Sequence, residues 1–166
     1  MTTPAGRLFG TDTGVDLVLT RAFRAGMEDV WASLTQSERT ARWFGPWKGE
    51  PGPGRRIEVQ MAYEEEQPWM PMTIEACEPP RRLAVSAVDD HGSWFLEAVL
   101  VETDNGTELR FTQHFAEADR ESVSHTGPGW EYYLDMLVAA HEGTPAPDFG
   151  DYWPAMQEYY TELKAD

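Results

Sequence analysis

Few residues of this sequence combine the types and spacing that bond-making chemistry needs. Ser124 and His125 stand side by side. A serine nucleophile requires a hydrogen-bonded base, an acid that orients the base and an oxyanion hole. Adjacency supplies none of these, and the chain has no Gly-x-Ser-x-Gly elbow. His114, His125 and His141 lack His-x-x-x-His spacing, so no metal site and no cofactor are expected. His114 falls on the outward parity of its strand, and His141, near a helix end, is expected to face solvent. Cys77 is the single cysteine, which leaves no intrachain disulfide and no thiolate cage. It reads as a small strand residue of the inert kind that free cysteines usually are. Glu64, Glu65 and Glu66 lack a calcium-loop motif and read as a solvated turn. Gly127-Pro128-Gly129 precedes a helical pattern without a basic residue, so it shapes a turn rather than a phosphate site.

What the chain does offer is an apolar, deformable surface. Met61, Met70, Met72, Trp94, Leu96, Leu109, Phe111 and Gln113 share one strand parity, and Trp130, Tyr133, Leu134 and Leu137 share one helical face. Methionine and aromatic side chains adapt in shape and give polarizable contact to flat ligands. Binding pockets are mostly apolar with a few polar groups that fix orientation. Gln113 and Tyr133 are the candidates for those groups. The same residues, closely packed, make an ordinary core, and the pattern alone leaves both readings open.

These residues need elements to place them. Residues 1–14 read as a flexible arm, followed by a strand through Val15–Phe23. Val30, Trp31 and Leu34 mark a short helix over 27–34. Thr35 and Glu38 have capping-box spacing, which predicts a second helix over 36–43, ended by Gly45-Pro46. Beyond Pro51-Gly52-Pro53-Gly54 the apolar period becomes two. Ile57, Val59 and Met61, then Met70, Met72, Ile74 and Ala76, then Leu83, Val85 and Ala87, then Trp94, Leu96, Ala98 and Leu100, then Leu109, Phe111 and Gln113 make five strands. Turn signals at Asp89-Asp90-His91-Gly92 and Asp104-Asn105-Gly106 give short connections, so the sheet is antiparallel. A long helix follows from about Trp130 to a cap at Gly143, then an extra helix over 154–164 started by Pro154. Tyr152, Trp153, Tyr159 and Tyr160 make that last segment aromatic enough to pack back on the domain or form a dimer contact; packing on the domain is favoured, in a monomer or weak homodimer. The fold class is α+β: a curved antiparallel sheet of about six strands covered by one long helix, with room for a cavity between the two layers.

Charge narrows the partners. Of 166 residues, 29 are Asp or Glu and 13 are Lys or Arg, for a net charge of −16. That field repels phosphate backbones and anionic membrane surfaces, so neither nucleic acid nor membrane is an expected partner. Apolar runs are too short to span a bilayer. Met1 to Thr13 has no basic start and no apolar stretch, which predicts a cytoplasmic protein.

Two stretches carry a family resemblance. Leu19-Thr20-Arg21-Ala22-Phe23 through Asp29-Val30-Trp31, Leu34-Thr35 and Trp43-Phe44-Gly45-Pro46-Trp47 resembles the opening of the heat-shock-protein-90 ATPase activator-like family. That family belongs to the START-like (SRPBCC, helix-grip) superfamily. Gly129 to Leu137 resembles the start of its long C-terminal helix, and Tyr152-Trp153-Pro154 to Tyr160 is similar to the tail of bacterial members. The resemblance covers residues 15–163 and is to the small bacterial single-domain type; Gly26 stands where the family often has Pro. It implies one domain over 15–166 and a hydrophobic cavity between sheet and long helix, for lipids, polyketides or other apolar metabolites. One related branch protects antibiotic producers, and others are aromatase/cyclases. It also implies that Trp43, Phe44 and Trp47 lie near the cavity mouth, where they gate entry or wedge the helix pair against the sheet. No catalytic residue is carried over. The expected function is sequestration of a hydrophobic or aromatic small molecule, with a polyketide aromatase/cyclase or a chaperone co-factor as alternatives.

Overall fold

Alternating side chains along the middle of the chain become one continuous sheet because each short connection returns the chain beside itself. The computed structural model describes residues 3–89 and 92–166. The elements are β1 (Arg7–Gly10), β2 (Gly14–Phe23), α1 (Met27–Thr35), α2 (Ser37–Thr40), β3 (Trp47–Lys48), β4 (Arg56–Gln60), β5 (Trp69–Glu78), β6 (Arg82–Asp89), β7 (Gly92–Thr103), β8 (Gly106–Ala116), α3 (Val123–Glu142) and α4 (Gln157–Glu162). All eight strands join one antiparallel sheet in the order β1-β2-β8-β7-β6-β5-β4-β3. From β4 to β8 it is a simple meander, and β8 closes it by pairing with β2. The turn expected at Asp89–Gly92 falls partly on residues 90–91, outside the described residues.

The sheet has eight strands rather than about six. β3 is two residues long, below what a periodicity can register. β1 lies within the arm expected over 1–14: Arg7–Gly10 pairs with Val15–Val18, and Leu8 is buried. The free edge of β1 is covered by the chain end. Asp166 N–H donates to the Leu8 carbonyl (3.0 Å), and Gly10 N–H donates to the Asp166 carbonyl (3.3 Å). A strand edge left unpaired is a template for unwanted pairing, and the C-terminus occupies this one.

The helices differ from expectation at their starts. The Thr35–Glu38 capping box does not form. Thr35 Oγ1 instead donates to the Trp31 carbonyl at 2.8 Å, Gln36 caps α2 through its backbone only, and α2 ends at Thr40. α3 begins at Val123, so Ser124, His125 and Gly127-Pro128-Gly129 lie within it rather than in a loop or turn. Pro128 lies past the first turn of α3, where its missing N–H leaves the Ser124 carbonyl without the usual helical donor. Gly127 is required by a close approach, since a Cβ there would collide with the Tyr160 ring. α3 ends as predicted at Gly143, in the left-handed conformation with φ 72°. α4 covers only Gln157–Glu162, and it packs on α3: Tyr152, Met156 and Tyr160 are all buried. His141 does not face solvent. Its ring meets Phe23 edge-on at 5.3 Å, and its nitrogens approach Ser33 Oγ (3.4 Å) and Asp29 Oδ2 (3.6 Å).

The core divides into two parts. The larger cluster joins β2, β8 and β7 to α1, α3 and the C-terminal segment, around Leu17, Leu19, Leu109, Leu134 and Leu137. The smaller lies on the far wing of the sheet, around Ile57, Val59, Met72, Ile74 and Ala87. No helix among the described residues is long and apolar enough to cross a membrane.

Candidate functional site

The inner face of the sheet is built in rows. Leu17, Gln113, Leu96, Val85 and Ile74 lie opposite one another across five strands, and Leu19, Phe111, Ala98, Leu83 and Cys77 form the next row. α3 packs on the β2 end of these rows. Towards β5 and β6 the rows run out from beneath it, and an apolar recess of about 390 Å³ remains. That volume is in the range of small-molecule sites.

A bulge sets one wall. In β5 the register shifts between Ile74 and Ala76, so Glu75 is an extra residue. Before the bulge Met72 and Ile74 point inward, as expected. After it the parity reverses: Ala76 pairs with Ala84 on the outer side, and Cys77 pairs with Leu83 on the inner side. Cys77 thus lines the recess, and burial pushes its thiol pKa up, which keeps the thiol protonated.

The opposite wall is aromatic. Trp31, Trp43, Phe44 and Trp47 come from α1 and the segment after α2, and Phe111 and Trp130 from β8 and α3. Phe44 and Trp130 are parallel to within 1° at 6.0 Å, and Trp130 meets Phe111 at 4.3 Å. Trp43 Nε1 donates to the Ser33 carbonyl and Trp47 Nε1 to the Thr35 carbonyl, each at 2.8 Å. These bonds hold the post-α2 segment against α1, so the aromatic residues both wedge the helix pair and line the space.

Of the expected contact residues, Trp43, Phe44, Met72, Leu96, Phe111, Trp130 and Leu134 line the recess. The others do not. Met61 lies beyond the end of β4, where its N–H donates to the Pro68 carbonyl. Met70 and Trp94 pack on the smaller core cluster. Leu137 is fully enclosed in the larger one. Gln113 is inward and buried, but its Oε1 accepts from Trp130 Nε1 at 2.6 Å. Tyr133 packs on Phe44 at 5.2 Å, outside the lining. Its hydroxyl is raised above the ordinary tyrosine pKa by burial, then by the charge and hydrogen bond of Glu64. Ile57, Val59, Ile74, Leu83 and Val85 line the recess and were legible as inward parity, but nothing set them apart from core.

Two other constellations lie away from the recess. Glu131 on α3 is fully buried and accepts from Ala5 N–H (2.6 Å), Gly6 N–H (3.2 Å), Tyr160 Oη (2.5 Å) and Arg21 Nη2 (2.8 Å). Arg21 Nε also donates to Asp135, which accepts from Tyr152 Oη at 2.6 Å. Burial opposes the Arg21 charge, and Asp135 and Glu131 more than offset it. On the outer face, His114 bridges Asp16 Oδ1 (2.7 Å) and Thr13 Oγ1 (3.0 Å). That line resembles a nucleophile–base–acid order, yet it sits on the solvent side, with the sheet between it and the recess. Among the described residues no group of three or more His, Cys, Asp or Glu is placed to share a metal ion.

Comparison with known proteins places this architecture. The family model for Activator of Hsp90 ATPase homolog 1-like protein matches residues 24–142. The chain belongs to this family. Its match runs from the end of β2 to the end of α3, so it contains the whole aromatic wall and the bulged strand. The solved structures similar to this family member share its fold. CalU16 from Micromonospora echinospora is 24% identical, with a TM-score of 0.78 over 97% of this chain and 96% of that one. The protein encoded by gene BPP1335 from Bordetella parapertussis is 22% identical, with a TM-score of 0.75 over 100% and 97%. DynU16, from the dynemicin biosynthetic locus, is 18% identical, with a TM-score of 0.70 over 81% of this chain and 50% of that one. No protein of curated function matches the sequence. The family and these structures define an α+β helix-grip fold of the SRPBCC superfamily.

Proposed function

We propose that this protein binds and sequesters a hydrophobic or aromatic small molecule, such as a lipid, a polyketide or an antibiotic-like metabolite, in the recess between the sheet and α3. One observation carries the reading: a recess of about 390 Å³ walled by six aromatic rings and the aliphatic side chains facing them. Space of that kind costs packing energy. A ligand that fills it recovers those contacts and leaves water.

DynU16 comes from the dynemicin biosynthetic locus. That setting favours natural-product self-resistance by capture as the cellular role of the present chain. The alternative of an aromatase/cyclase needs an acid or base placed against a bound chain. Of the two polar candidates, Gln113 is committed to Trp130 and Tyr133 lies outside the lining. A chaperone partner rests on the family description and on no surface of this chain.

The experiment is a titration with N-phenyl-1-naphthylamine, followed by its fluorescence and by quenching of the tryptophans. Wild-type protein is expected to bind it saturably. Val85→Trp puts an indole into the recess between Ile74 and Leu96 and is expected to abolish binding while the fold is retained by circular dichroism. Equal binding by wild type and Val85→Trp would overturn the assignment. Native mass spectrometry of protein from its own host would then identify a retained compound.

A further inference from the structure

The walls of the recess direct most of their side-chain hydrogen bonds to other protein groups. The indole N–H groups of Trp43, Trp47 and Trp130 all donate to protein acceptors. The hydroxyls of Thr35 and Thr40 donate to the carbonyls of Trp31 (2.8 Å) and Gly45 (2.7 Å). Among the described residues no buried side-chain nitrogen or oxygen lacks a partner. The lining contains no Lys or Arg, and its one carboxylate, Glu97, accepts from Arg82 Nε at 2.6 Å.

Sites that take ions need convergent cations or free donors, because an ion stripped of water is costly to bury unpaired. A carboxylate or sulfonate entering here loses its hydration and finds no Lys or Arg in the lining to replace it. A neutral ring system gives up no such hydration, and it finds the faces of Trp43, Phe44, Phe111 and Trp130.

We propose that the recess selects neutral, ring-bearing apolar molecules and rejects those that carry an ionised carboxylate or sulfonate into it. This rests on the reading of the recess as a small-molecule site and narrows it to one ligand class. Fatty acids and ring systems with an acidic substituent fall outside that class; their neutral counterparts fall within it.

The test compares two probes with one skeleton. N-phenyl-1-naphthylamine is neutral, and 1-anilinonaphthalene-8-sulfonate carries a sulfonate on the same rings. The full chain is titrated with each in 0.5 M NaCl, where the screening length is about 4 Å. The long-range repulsion of a −16 protein is then largely removed, but the loss of hydration inside the recess is not. The neutral probe is expected to bind at least about tenfold more tightly. A smaller gap, or a preference for the sulfonate, overturns the proposal and leaves the small-molecule reading standing. Failure of the neutral probe to bind removes that reading and this proposal with it. Leu83→Lys places an ammonium group in the half-buried part of the wall. In this variant the gap is expected to shrink at least about threefold. An unchanged gap in folded Leu83→Lys protein overturns the assigned cause. The wild-type comparison decides the matter if that variant does not fold.

Discussion

Glu131 shows how much a single buried carboxylate can organise. Its four donors come from the N-terminal segment, β2 and α4, so one side chain on α3 holds three distant parts of the chain. Removing one partner of a buried ion pair leaves an uncompensated charge. Glu131→Ala is accordingly expected to cost about 3–5 kcal/mol, measured by urea denaturation. Tyr160 makes the network sensitive to alkali. Its hydroxyl pKa is raised above the ordinary value of 10.0 by burial, then by the Glu131 charge and hydrogen bond. The unfolded chain therefore loses this proton at a lower pH than the folded one. The Tyr160 contribution is complete below pH 10 and declines as pH rises above it. Unfolding midpoints measured between pH 8 and about 11 are expected to fall above pH 10 in wild type, and to fall less steeply in Tyr160→Phe. None of this was legible in sequence. Arg21 and Glu131 lie 110 residues apart, and no spacing rule links them.

Elements show where pattern reading succeeds and where it stops. The five strands of the meander follow from their period of two, and the α3 terminus from Gly143. The bulge at Glu75 has no such signature, yet it decides that Cys77 and not Ala76 faces the recess. Cys77 can therefore report on occupancy. Its reaction with a neutral maleimide is expected to be slower than that of a free thiol, and slower again by at least about threefold when N-phenyl-1-naphthylamine is bound. Unchanged labelling kinetics would place the probe elsewhere. Gly127 is a second such position. The Tyr160 ring packs against it, so Gly127→Ala must push α4 away from α3 despite alanine's better helix propensity. A loss of about 1–3 kcal/mol is expected by denaturant unfolding. The thiol of Cys77 becomes no more reactive if α4 is a structural brace remote from the recess.

At the scale of the whole molecule, the sheet is wider than its main helix can cover. α3 and the C-terminal segment roof β2 and its neighbours. The wing carrying Ile57, Met72 and Ile74 is left to the aromatic segment after α2. The mismatch creates the recess, whose walls draw on both clusters. The sequence alone determined the α+β class, the antiparallel meander, the long helix and the inward parity of most lining residues. Those features depend on local periodicity and capping, which are written into neighbouring residues. Which inward residues touch empty space emerges only once the layers pack, since Leu134 and Leu137 share one helical face while the first borders the recess and the second is sealed in the core. A void is a property of how separate layers fit, and the sum of side-chain volumes facing it comes from segments that no local rule relates.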